Sequence, residues 1–204
     1  MDKQVWWRTV FVAIFVIFIA WSFDAHTQEV GSNYYQKENS LPTIMISDIP
    51  KNAPKYAQFP VKPFKGKLSM PHIGDNEQSN QYRTRIKAST KKGVNFAGYY
   101  NVATWSCGIA CFEIVIINMK TGQIHYLPNV KSVSNYFIGG FTGAESDISN
   151  DYIDTTIGLG FRPESTLLIV GGPVNGKTNA EISYFVWQNN KLNLLRRIPI
   201  VRGK

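Results

Sequence analysis

Cys107 and Cys111 are the only cysteines of the 204-residue chain, and Gly108-Ile109-Ala110 separates them. Three chemistries fit such a pair. In an oxidising compartment, two cysteines this close join as a disulfide. In a reducing one they stay thiols, and either could be a nucleophile if a base stood beside it. As metal ligands they would need partners, and His26, His72 and His125 are the only histidines. A redox-active pair has two intervening residues rather than three. Export favours the disulfide. Its closed loop is short, so it would contribute only about 2 kcal/mol and act as a local clip.

Gly171-Gly172-Pro173-Val174-Asn175-Gly176-Lys177-Thr178 satisfies the phosphate-loop pattern GxxxxGK[ST]. That loop works when backbone amides cradle phosphates at a helix start. Here residues 182–187 read as a strand, so a glycine-rich hairpin is expected and no nucleotide site. Asp147, Ser149, Asp151 and Asp154 place oxygens at intervals that suit a calcium loop. Tyr152 stands where the turn glycine belongs, and no glutamate closes the loop, so a polar surface loop is expected. Glu113 and Asp154 would pair as carboxylates only if the fold brought them together. Ser106 lacks a nucleophile-elbow context. No catalytic residue, metal site or cofactor is therefore expected.

The elements around the cysteines read as β. Tyr99, Tyr100, Val102, Thr104 and Trp105 suit a pleated, half-buried surface. Phe112-Glu113-Ile114-Val115-Ile116-Ile117 has the length and β-branching of a buried strand. Lys120-Thr121-Gly122-Gln123 then supplies a turn, and Ile124, Tyr126 and Leu127 resume the strand before Pro128. Further strands are expected at 136–138, 152–157, 166–170, 182–187 and 192–200, with Gln188-Asn189-Asn190-Lys191 as a hairpin turn. One helix is expected over 79–90, capped by Ser79 and ended by Gly93, with Tyr82 and Ile86 on its inner face. Its other face is basic through Arg83, Arg85, Lys87 and Lys91. The expected fold is mainly β, a β-rich α+β domain. It is a single antiparallel sheet or sandwich with one short helix near 79–90, preceded by an N-terminal signal or anchor helix.

Several of these stretches together resemble a family of small exported bacterial proteins of unknown function. The resemblance is carried by Tyr82-Arg83-Thr84-Arg85-Ile86, by residues 92–100, and by Trp105-Ser106-Cys107-Gly108 with Cys111. Lys120-Thr121-Gly122, residues 165–168 and residues 184–187 add to it. It covers roughly residues 80–200, and Ser106 stands where the pattern has glycine. It implies export and a β-rich domain, and it transfers no catalytic residue.

The N-terminus agrees with export. Lys3 and Arg8 precede an apolar run, and Asp24 and Glu29 follow it. Positive before and acidic after retains the N-terminus in the cytoplasm. Residues 1–28 are then either a cleaved signal peptide, with Ala20-Trp21-Ser22 at the cleavage point, or an anchor spanning the membrane over 5–23. Residues 29–60, rich in proline and small polar residues, read as an extended tether. Residues 61–204 read as the β-rich domain.

The formal net charge is +8. Removing residues 1–29 takes away Lys3, Arg8, Asp2, Asp24 and Glu29 and leaves 20 basic against 11 acidic residues. Lys51 to Lys92 holds ten of the basic residues against Asp75 and Glu77 alone. Such a surface seeks an acidic partner, and export excludes nucleic acid as the natural one. The expected function is a periplasmic, non-catalytic binding protein of the envelope, inhibitor- or immunity-like, possessing an acidic envelope component or protein as partner. The alternative is an envelope hydrolase or thiol-dependent enzyme. Arg83, Arg85, Lys87, Tyr99 and Trp105 form the candidate binding surface.

Overall fold

Residues 114–117 are apolar without alternation. A strand can be so only when both of its faces are covered. The structure, a computed structural model of the chain, describes residue 44 and residues 48–74, 77–134, 158–177 and 179–200, and shows that arrangement. Ile114 and Ile116 face one core with Val102, Leu168, Val170, Phe185 and Trp187. Val115 and Ile117 face another, with Ile86, Ala103, Trp105 and Met119.

Two antiparallel sheets produce these layers. In the first, β2 (Cys111–Asn118) is central. It pairs with β1 (Tyr100–Gly108) along one edge. Along the other it pairs with β3 (Ile124–Tyr126) and then β4 (Ser132–Ser134). The second sheet is a meander of β5 (Leu159–Gly160), β6 (Leu167–Gly171), β7 (Glu181–Gln188) and β8 (Lys191–Pro199). The fold is thus mainly β, as expected, built from two antiparallel sheets. β8 is an edge strand among the described residues. Its bulge falls opposite Tyr184/Phe185, and only Leu192 of the strand is buried.

The helical segment covers the outer face of the first sheet. It starts earlier than expected, as α1 (Glu77–Gln81), and continues as α2 (Arg83–Thr90). Ser79 is therefore not the cap. It lies inside α1, 1 % exposed, and its hydroxyl accepts the Gly74 N–H. Tyr82, at φ −105° and ψ 15°, distorts the junction. The ladder still crosses it, because Ile86 N–H donates to the Tyr82 carbonyl at 3.0 Å. Asn101 on β1 fixes the far end. Its Nδ2 donates to the Ser89 and Gly93 carbonyls at 3.2 and 2.7 Å, satisfying groups a helix end leaves open.

The outer face of the second sheet is covered too. Ile44 and Ala53 are buried against Leu167, Ile169, Ile182 and Tyr184, with Tyr56 and Phe59 packed beside them. All described residues belong to one compact unit, Pro42–Lys204, so that unit begins upstream of residue 61. The expected strands at 136–138 and 152–157, the loop holding Asp147 and Asp154, and the apolar run 5–23 lie outside the described residues. Among the described residues no helix is long and apolar enough to cross a membrane.

Candidate functional site

The cysteines sit at the tip of the β1–β2 hairpin. Gly108 pairs with Cys111 across the turn, and Ala110 takes the left-handed conformation at φ 52°. Cys107 and Cys111 are joined as a disulfide with Cα atoms 5.1 Å apart. The clip holds β1 against β2 at an exposed hairpin tip. A thiol enzyme would need one of these sulfurs free, and each is bonded to the other. Among the described residues no group of histidine, cysteine and carboxylate side chains is placed to hold a metal ion.

Trp105 is not a surface residue. It is 3 % exposed. Strand alternation turns it toward the helical layer, where Tyr82 stacks on it with centroids 4.5 Å apart. Its indole N–H donates to Glu113 Oε2 at 2.9 Å, and Gln78 Nε2 reaches the same oxygen at 3.4 Å. Glu113 is thus held as a structural acceptor.

Tyr99 is half-buried. It stacks on Tyr100 at 4.5 Å, and the Lys120 ammonium lies 3.9 Å above its ring. The Tyr100 hydroxyl donates to Asn190 Oδ1 at 2.8 Å, tying the first sheet to the β7–β8 turn. Burial raises the Tyr100 hydroxyl to about 12. His125 packs edge-on to Tyr100 and Trp187, at 6.1 and 5.5 Å, and burial lowers its pKa.

Arg83, Arg85 and Lys87 are exposed, as their helix face suggested. Ile86 is fully buried between them, and Asn101 anchors the C-terminal turn, so the helix that carries them has a fixed direction. Lys91 and Lys92 follow it, also exposed. None of these five cations has an acidic side chain within ion-pair distance among the described residues. The structure therefore separates the five candidate residues: Arg83 and Lys87 lie one turn apart on α2 with Arg85 on its other flank, Tyr99 lies half-buried beneath Lys120, and Trp105 is core.

The phosphate-loop match is a β-turn region. β6 ends at Gly171, Asn175 and Gly176 take φ 56° and 72°, and β7 begins at Glu181. Asn175 Oδ1 accepts the Lys131 and Ser132 N–H groups at 2.8 and 3.2 Å, and its Nδ2 donates to the Pro128 carbonyl at 3.2 Å. The Gly172 N–H donates to the Glu181 carbonyl at 2.9 Å. The loop's polar groups thus join strands, and no helix follows them.

Two features escaped the sequence reading. The first is a strap, residues 62–70, laid along the first sheet. Phe64 N–H donates to the Gly98 carbonyl at 2.7 Å and Ser69 N–H to the Met119 carbonyl at 2.8 Å. The strap fits because its seats are glycines. A Cβ on Gly98 would stand 2.9 Å from Val61 Cγ2, and one on Gly122 would run into the Met70 carbonyl oxygen. Gly122 therefore seats the strap as well as forming the turn after β2.

The second is a cleft of about 420 Å³ lined by Lys55, Tyr56, Val61, Arg162 and Glu164. Arg162 lies over the Tyr56 ring at 4.9 Å and 3.9 Å from the Glu164 carboxylate. Behind it, buried Ser165 shares its hydroxyl between the Tyr56 and Phe59 carbonyls at 3.0 and 3.1 Å. That serine links segments, and its hydroxyl also accepts the Leu167 N–H at 3.2 Å.

No family model matches this chain, and neither does any curated protein or solved structure.

Proposed function

We propose that this chain is an exported, non-catalytic interaction protein of the bacterial envelope, inhibitor- or immunity-like, whose folded body meets an acidic partner outside the cytoplasm. The observation that carries the reading is the basic helix α2: Arg83, Arg85 and Lys87 are exposed and, among the described residues, without an acidic side chain in ion-pair distance, on a helix fixed by Ile86 and Asn101. Like charges placed together weaken the fold slightly, and they strengthen attraction to an anionic surface or protein. The Cys107–Cys111 disulfide suits an oxidising compartment. The charge pattern around the apolar run 5–23 and the resemblance over residues 80–200 support the same placement.

The test is titration of the full chain with poly-L-glutamate, followed by fluorescence anisotropy. Salt-sensitive binding that is lost in the triple variant Arg83→Glu, Arg85→Glu, Lys87→Glu is the expected result. Equal binding by that variant would remove α2 as the interaction face.

A further inference from the structure

We propose that the strap, residues 62–70, docks the folded body on an anionic phospholipid bilayer, with Lys62, Lys65 and Lys67 at the head groups and Leu68 and Met70 in the interface. This deepens the reading above, and rests on it for placing the body beside an envelope membrane. The composition is the first support. No acidic residue occurs between Lys51 and Gly74, so the strap carries cations alone.

Exposure is the second. Leu68 is 38 % and Met70 64 % exposed. Leu68 follows the exposed Lys67, and Met70 lies two residues further along the same strap. Cations mixed with aliphatic side chains suit the boundary between head groups and acyl chains, where each type finds its own medium. A protein groove would instead call for one contiguous apolar face.

Preorganisation is the third. Backbone hydrogen bonds hold the strap at Phe64 and Ser69, and His72 N–H donates to the Gly122 carbonyl just beyond it at 2.8 Å. The Ser69 hydroxyl donates to the Lys120 carbonyl at 2.6 Å. Lys120 in turn lies over the Phe64 ring, 4.7 Å from its centroid. A segment pinned near both of its ends presents its side chains without first having to order, which favours binding.

Methionine methyl resonances test this in the full chain. Met70 reports the strap, and Met119, 1 % exposed, reports the core. The protein is placed in nanodiscs of phosphatidylcholine, with or without phosphatidylglycerol, carrying a nitroxide lipid. The Met70 signal, assigned through Met70→Leu, broadens in the anionic discs and stays sharp in the neutral ones, while Met119 stays sharp in both. Replacing Lys62, Lys65 and Lys67 with Gln weakens the anionic-disc contact by about a hundredfold, at roughly fivefold per lysine. A sharp Met70 signal in anionic discs overturns the proposal, as does equal broadening in neutral ones. Broadening lost in the Arg83, Arg85 and Lys87 variant but kept in the strap variant also overturns it, because α2 would then be the membrane contact. If Met70 stays sharp while poly-L-glutamate still binds through α2, the strap fails and the acidic-partner reading stands. If both fail, the two fall together.

Discussion

Trp105 and Glu113 are direct partners across β1 and β2, and the indole N–H of one donates to a carboxylate oxygen of the other at 2.9 Å. Trp105 is buried. Glu113→Leu would strand its N–H and cost about 1–3 kcal/mol, the usual penalty for an unmade buried hydrogen bond. Glu113→Gln keeps an oxygen acceptor and costs less. Urea midpoints of the two variants check this, and equal midpoints would show the bond to be dispensable.

The disulfide closes a short loop at an exposed tip, so its stabilisation is small. Replacing Cys107 and Cys111 with Ser lowers stability by about 2 kcal/mol or less and leaves the protein folded. Alkylation of the native protein without prior reduction labels neither cysteine. Mass spectrometry reads that result, and two labelled thiols would contradict it.

Gly122 and Gly93 separate backbone strain from lost space. Both take left-handed conformations, at φ 83° and 88°. A Cβ on Gly93 meets nothing within 4 Å, whereas one on Gly122 meets the strap backbone at Met70 and the His72 ring. Gly93→Ala costs about 1 kcal/mol from conformation alone. Gly122→Ala costs more, and hydrogen exchange in residues 62–72 rises with it. Similar costs, with unchanged exchange, would mean the strap is not seated on Gly122.

Much of this architecture is legible in the sequence, and the unread parts share a cause. Residues 112–117 read as a buried strand and residues 166–170 as a strand, and both are strands in the structure. Asn189 and Asn190, both at positive φ, form the expected β7–β8 turn. What escaped depends on which face a residue takes or on what lies against it. Trp105 has the composition of a surface anchor, and alternation along β1 placed it under Tyr82. The strap has no period of its own, because contacts at Gly98 and Gly122 hold it. Ile44 and Ala53 sit in a proline-rich stretch whose few apolar residues gave no pattern, although they cover the second sheet.

The pH dependence divides between two groups. Burial lowers the His125 pKa, so the unfolded chain takes up a proton there more readily. Its contribution to stability is complete above the ordinary histidine value of about 6.5 and falls as pH drops toward the folded value. Burial raises the Tyr100 hydroxyl to about 12 in the folded protein, above its ordinary value of 10.0. Stability therefore declines as pH rises from about 10 to about 12. Denaturation midpoints across pH check both, with His125→Phe flattening the acidic limb and Tyr100→Phe the alkaline one. Unchanged limbs in these variants would assign the dependence elsewhere.

Lys177→Ala tests the phosphate-loop match. Because Asn175 and the loop amides are engaged in joining strands, the variant keeps wild-type stability within about 0.5 kcal/mol, as for an ordinary surface change. Equilibrium dialysis with ATP finds no binding to either protein. Binding to the wild type that the variant loses would contradict the assignment.

The roles proposed for α2 and the strap require the body to meet the envelope from outside the cytoplasm. A reporter enzyme fused after Lys204, one active only outside the cytoplasm, tests that requirement most directly. The account predicts an active fusion, and a matched reporter that works only in the cytoplasm stays silent at the same position. An inactive exported reporter with an active cytoplasmic one would contradict it.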